Sequence, residues 1–127
     1  MSHVTVHDHR SCRIRKEVSA WDEQVAAYVP QSASHYLWDG WNIFRETVTV
    51  GSGSTQSAVT NYNTWGSDLS GSLQGAGGVG GLLSVTTVSA ADPQPVIYFP
   101  LFDANGNVTE YISTNGTVAA RYAYDAF

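Results

Sequence analysis

Apolar and polar residues alternate with a period of two over much of this chain. Val4 and Val6 flank Thr5, and Ile14 and Val18 share one face of a return that follows a turn near Arg10-Ser11. That pattern predicts strand, turn and strand over residues 4–18. Residues 19–34 read as a connecting region, in which Trp21-Asp22-Glu23-Gln24 and residues 25–28 allow a short helical turn that Pro30 ends. A strand over 35–38 runs into Asp39-Gly40, a strong hairpin signal between apolar residues. Residues 43–50 then alternate, with Thr47 and Thr49 on one face and Val48 and Val50 on the other, before a flexible tip at Gly51-Ser52-Gly53-Ser54.

The second half continues in the same mode. Residues 58–65 are large, aromatic or β-branched around Asn61 and Asn63, whereas residues 66–81, GSDLSGSLQGAGGVGG, hold too much glycine for a regular element and must bend or let backbones approach closely. Strands follow over 82–89 and 96–102, separated by a turn at 91–95, and Pro100 argues for a local strand edge or a bulge. Asn105-Gly106 and Asn115-Gly116 predict tight type I′ hairpins on either side of a strand over 108–112. In the last run Val118, Ala120, Tyr122 and Tyr124 share one face and Ala119, Arg121 and Ala123 the other. The whole reads as all-β: an antiparallel array of hairpins.

Composition agrees with that class. The charged fraction is low at 13%, aromatics reach 12%, and Gly, Ser and Thr replace the Ala, Leu, Glu and Lys of helical chains. With 127 residues the chain fits one domain, and a compact fold of that size buries roughly two thirds of its unfolded surface. The net charge is −5, with Arg10, Arg13, Arg15 and Lys16 clustered and only Arg45 and Arg121 elsewhere, which argues against a nucleic-acid partner. Cys12 is the single cysteine, so no internal disulfide forms. No apolar run reaches the roughly 18 to 20 residues of a membrane span, and the polar start MSHVTVHDHRSCRIRK is not a signal peptide.

An internal repeat carries more information than any single motif. Phe102-Asp103 and Tyr124-Asp125 are aromatic-Asp pairs, and Trp38-Asp39-Gly40 and His7-Asp8 read as more divergent copies. Each unit is a strand ending in an aromatic, an aspartate that starts the turn by accepting backbone N–H bonds, a Gly or Asn within it, and a β-branched return. The repeat-motif residues are therefore Asp8, Trp38, Asp39, Gly40, Phe102, Asp103, Asn105, Gly106, Asn115, Gly116, Tyr122, Tyr124 and Asp125.

This pattern resembles the YD repeats of RHS-repeat proteins, a group that includes bacterial polymorphic toxins and wall-associated proteins, with related segments in teneurins. YLWDGWNIFRE (36–46), TWGSDLSGSLQGAGGVGGLLSV (64–85) and FDANGNVTEYISTNGTVAARYAYDAF (102–127) resemble consecutive pieces of the RHS repeat-associated core. His7 to Ile14 resembles a unit that usually carries Tyr-Asp-Tyr and Gly-Arg, with His at both tyrosine positions and Ser11 at the glycine. The resemblance implies a segment of a β-sheet that spirals into a hollow shell around a C-terminal toxin or effector, in a secreted or cell-surface setting. It also implies flanking repeats as partners and a glycine after Phe127, so that the chain stops inside a larger architecture. The self-cleaving site and the toxin of such proteins lie beyond the matched region, so no enzyme activity is expected here.

Other motifs read as turn chemistry. Gly75-Ala76-Gly77-Gly78-Val79-Gly80 matches GxGxxG but lacks the preceding strand and following helix that dinucleotide binding needs, so no cofactor is expected. Asp103, Asn105 and Asn107 begin a calcium-loop spacing that fails at Val108 and Thr114. His3, His7 and His9 alternate on one side of a strand without a carboxylate or thiol partner, and no metal is expected. Trp38, Trp41 and Trp65 form the alternative reading, a platform for cell-wall glycans, because flat aromatic faces stack on the C–H surfaces of sugars. A chain of this kind also exposes strand edges at both ends, which predicts self-association.

Overall fold

The computed structural model describes residues 1–51 and 53–124. Among these residues nine strands form one antiparallel sheet in strict chain order, β1 to β9. They are β1 (Ser2–His7), β2 (Arg13–Asp22), β3 (Ala27–Asp39), β4 (Asn42–Val50), β5 (Ser57–Trp65), β6 (Leu82–Ser89), β7 (Val96–Phe102), β8 (Val108–Ser113) and β9 (Val118–Arg121). A 3-10 turn over Gly53–Thr55 lies between β4 and β5. The hairpin array expected from the sequence is the fold.

Two sequence expectations are corrected. The region 19–34 is no connection and has no helical turn: β2 and β3 run through it as a long hairpin, turning at residues 23–26. The Asp22 carboxylate accepts the N–H groups of Gln24 and Val25, and Trp21 packs edge-to-face on Tyr28 across the hairpin at 5.4 Å between ring centres. That cross-strand pair outweighs the local helical preference. Pro30 is tolerated because it pairs with Ser19 beside a bulge that leaves Gln31 without a partner on β2. The last strand is bulged too. Val118 opposes Ile112 and Ala120 opposes Tyr111, so Val118 and Ala120 lie on opposite faces rather than together.

Pro100 sits where the sequence asks for a local edge. β7 pairs with β6 only from Val96 to Tyr98, and beyond that point it pairs with β8 alone. A missing N–H costs nothing on the side where the ladder has already ended.

The Asn-Gly turns are also corrected. Asn105 and Asn115 have no left-handed backbone; only Gly106 (φ 81°) and Gly116 (φ 83°) do. These turns are five-residue loops with one left-handed residue at the fourth position, not two-residue type I′ turns. At the β3–β4 hairpin the loop residues are Gly40, at φ 60°, and Trp41, so Asp39 ends the strand rather than sitting in the turn.

One sheet alone has no second layer to bury its side chains against. Cys12 and Pro100 are the buried apolar side chains among the described residues. The chain exposes 8437 Å², against about 6,600 Å² for a compact monomer of its size. The surface is that of a single-layer sheet, not of a compact fold. Along the register Tyr36 opposes Glu46, Glu46 opposes Asn61, Asn63 opposes Val85 and Val85 opposes Tyr98, which places these residues on one face. Two concavities open on that face, one lined by Tyr36 and one by Asn61, Val85 and Tyr98. The other face carries Val4, Val6, Leu37, Tyr62, Phe99 and Leu101, all substantially exposed.

Ser11 offers a simple test of the turn geometry. It occupies the fourth position of the β1–β2 turn at φ 63°, where the other turns of this kind have glycine. Ser11→Gly is expected to raise stability by about 0.5 to 1 kcal/mol, the relief of left-handed strain less the extra entropy of an unfolded glycine. Gly116→Ala, which meets open space, is expected to cost about 1 kcal/mol. Denaturant midpoints of the two variants check both signs.

Candidate functional site

Four turns share one backbone module. In residues 8–12, 68–72, 103–107 and 113–117 the first N–H donates to the fifth carbonyl and the fourth N–H donates to the first carbonyl, at 2.8 to 3.1 Å. Aspartate opens three of them. Oδ1 of Asp8 accepts from the N–H groups of Arg10 and Cys12, and Oδ1 of Asp103 accepts in the same way from Asn105 and Asn107. Ser113 opens the fourth, where its hydroxyl, the Asn115 side chain and Thr117 make a small network instead.

The third aspartate, Asp68, holds more than its own turn. Its Oδ1 accepts from the Ser70 N–H at 2.8 Å and the Ser70 hydroxyl at 2.5 Å, while Oδ2 accepts from the N–H groups of Ala76 at 2.7 Å and Gly78 at 3.1 Å. It is 6% exposed. The hydroxyl of Ser70 lowers its pKa most, against partial desolvation, and the three backbone N–H groups add to that, bringing it to about 2. Asp103 is lowered as well, chiefly by the side-chain amide of Asn107 and then its backbone N–H. For Asp8 partial desolvation works in the opposite direction, and the N–H groups of Cys12 and Arg10 outweigh it.

Asp68 thereby folds the glycine-rich segment back over the end of the sheet. Gln74 reaches the β3–β4 turn, where its Oε1 accepts the Trp41 N–H and its Nε2 donates to the Asp39 carbonyl, both at 2.9 Å. Leu69 and Val79 press on Gly106 in the β7–β8 turn, and Gly78 lies against Asn42 and Trp65. Gly77, Gly78 and Gly80 have positive φ, so the GxGxxG match is a loop of left-handed bends with no helix behind it. The glycine-lined bend against aromatics expected for this segment is what forms.

Trp38, Trp41 and Trp65 divide between two concavities. Trp38 and Trp41 line one of about 590 Å³, together with His7, Arg10, Arg13 and Tyr36. Trp38 is tied down by its indole N–H, which donates to the Arg13 carbonyl at 2.9 Å, and Trp41 is 61% exposed. Trp65 is turned away into another, lined by Gly77, Gly78, Leu82, Phe102 and Gly106, and its indole N–H donates to the Ile43 carbonyl. The three residues expected as one platform are therefore a pair and a separate third.

The repeat residues are likewise not equivalent. Asp8 and Asp103 cap their turns as the repeat requires, but Asp39 makes no such cap among the described residues; its carbonyl is instead held by Gln74. Tyr122 stacks edge-to-face on Tyr111 at 6.1 Å, and the Tyr124 hydroxyl donates to the Val108 carbonyl. The Tyr111 hydroxyl pKa is raised, mainly by desolvation. Asp125 lies outside the described residues. Asp68 and Gln74 were not among the residues singled out from sequence. Asp68 had a legible signal, because Asp68-Leu69-Ser70-Gly71 repeats the spacing of Asp103-Ala104-Asn105-Gly106; Gln74 had none, since its partners lie 33 and 35 residues away.

Among the described residues no three His, Cys, Asp or Glu side chains come together as a metal site, and no helix is long and apolar enough to cross a membrane. Compared with protein-family models and with curated proteins, the chain gives no match.

Proposed function

We propose that this chain is a wall segment of an RHS-type shell, whose role is to enclose or present a C-terminal effector at the bacterial surface or on secretion. The observation that carries this reading is the open single-layer sheet, which has no core of its own and leaves β1 and β9 as unpaired edges. Such a sheet gains its stability by continuing sideways into further hairpins, and a sheet so continued can form a wall around an enclosed volume. The Asp turns fix the register of successive hairpins, as the resemblance to YD repeats implies.

The test compares the isolated chain with a version extended on both sides by the flanking coding sequence. The isolated chain is expected to associate through its edges, giving concentration-dependent species larger than a monomer on size-exclusion chromatography. The extended protein is expected to be monodisperse, to appear hollow by electron microscopy, and to shield its C-terminal segment from protease. A monomeric isolated chain that unfolds cooperatively at high concentration overturns the reading.

A further inference from the structure

Two Asn-Gly pairs occupy the same place in the same turn module, yet their surroundings are opposite in character. Asn105-Gly106 lies in a turn opened by a carboxylate. Oδ1 of Asp103 accepts the Asn105 N–H at 2.9 Å, and among the described residues no donor reaches the Asn105 carboxamide oxygen. Gly106 is half-buried beneath Val79 and Leu69. Asn115-Gly116 lies in a turn opened by a hydroxyl. Its carboxamide Oδ1 accepts from the Ser113 hydroxyl, from the Thr117 hydroxyl at 2.7 Å and from the Thr117 N–H at 3.1 Å. Gly116 is exposed, and nothing lies within 4 Å of where its Cβ would stand.

That contrast has a chemical meaning. The backbone nitrogen after an asparagine is a nucleophile close to the side chain's own carbonyl carbon, and glycine, with no Cβ, hinders its approach least. Attack puts negative charge on Oδ1. Donors already aimed at that oxygen stabilise the charge as it develops, whereas a neighbouring carboxylate repels it. In both turns the glycine N–H donates to the carbonyl of the opening residue, at 3.1 Å for Gly106 and 2.9 Å for Gly116, and this bond must break first at either site. It does not separate them.

We propose that Asn115 is a site of self-modification, at which the Gly116 nitrogen displaces the side-chain amide while the three donors serve as an oxyanion hole. The Gly116 N–H gives its proton to solvent base, the nitrogen bonds to Cγ of Asn115, the Cγ–Nδ2 bond breaks, and Nδ2 takes up a proton from solvent and leaves as ammonia. Water then opens the resulting cyclic imide at one carbonyl or the other, leaving aspartate at position 115 or an iso-linked residue whose side-chain carbon carries the main chain. Both products add a negative charge. The iso-linkage also lengthens the main chain inside a turn closed by the bond from the Ser113 N–H to the Thr117 carbonyl, which sets the β8–β9 hairpin. The step is one-way and loosens that hairpin with time. The inference stands apart from the shell reading, since it concerns one turn and not the edges of the sheet.

The experiment ages the full chain at neutral pH and follows both pairs by peptide mapping with mass spectrometry, with an isoaspartyl methyltransferase as the probe for iso-linkage. Asn115 is expected to convert at least about tenfold faster than Asn105. Ser113→Ala and Thr117→Val are each expected to slow Asn115 several-fold with far-UV circular dichroism unchanged. The double change Asp103→Ser with Asn107→Thr, which copies the hydroxyl turn around Asn105, is expected to speed conversion there. In denaturant the two sites of the unmodified chain are expected to converge, because the donors are then dispersed. Conversion of Asn105 as fast as Asn115 in the folded chain, no conversion at Asn115, rates indifferent to the loss of both hydroxyls, or the same ratio of rates in denaturant overturns the inference and leaves the shell reading untouched.

Discussion

Replacing Asp68 with asparagine is expected to release residues 66–81 from the end of the sheet while the strands persist. The carboxylate accepts four donors on two oxygens, and an amide keeps one oxygen and turns an N–H₂ toward the other pair. Either the Ser70 pair or the Ala76 and Gly78 pair then faces a donor, which leaves buried N–H groups unsatisfied. Hydrogen exchange read residue by residue is the measurement. Protection at Ala76 and Gly78, or at Ser70 where the amide nitrogen faces that pair, is expected to fall on the order of tenfold or more, with protease cleavage appearing within residues 69–80. Exchange at Val48 and Val59, deep in the β4–β5 ladder, stays as it was. Unchanged protection at Ser70 as well as at Ala76 and Gly78 would show that the loop is held by something other than this side chain.

The same residue predicts a pH response. Its pKa falls from 3.8 to about 2 on folding, so the folded state favours the charged form. The stabilisation is fully present above pH 3.8, the unfolded value, and is lost as pH falls from there through about 2. Loop protection in the unmodified chain should therefore hold at neutral pH and collapse across that window, and the asparagine variant should lack the transition. The Asp103 turn, also lowered, should loosen in the same direction.

Gly78→Ala is the second large effect. Gly78 has φ 82°, and a Cβ there would overlap Asn42 Oδ1, an atom buried without a hydrogen-bond partner among the described residues, in a residue only 4% exposed. Left-handed strain of about 1 to 2 kcal/mol adds to an overpacking cost of about 1 to 3 kcal/mol, so a loss of about 2 to 4 kcal/mol is expected. The steric share separates from the strain by pairing the change with Asn42→Ala. The double variant should recover about 1 to 2 kcal/mol relative to the sum of the single ones, because the overlap is gone and the φ penalty remains. Simple additivity in denaturant midpoints would mean that Asn42 moves aside at no cost.

Both predictions concern the segment where the sequence was least informative about structure. Local patterns of alternating or β-branched residues placed β1, the start of β2, the end of β3 and β4 to β9, and the Asp-Gly and Asn-Gly pairs marked where hairpins turn, because each of those patterns acts over neighbouring residues. They failed at residues 19–34, where the edge-to-face contact of Trp21 with Tyr28 and a bulge at Gln31 make a hairpin out of a segment with a proline in it. A bulge at Ala119 likewise reversed the facing of Val118.

By itself, then, the sequence determined the all-β class, the hairpin order and the turns opened by Asp8 and Asp103, all of which rest on interactions within a few residues. The tertiary structure decided that the sheet stays a single open layer, that Trp65 parts from Trp38 and Trp41, and that Gln74 reaches the Trp41 turn. Those outcomes depend on contacts between residues tens of positions apart, set by strand register and by how a glycine-rich loop folds around one carboxylate. No local pattern encodes them.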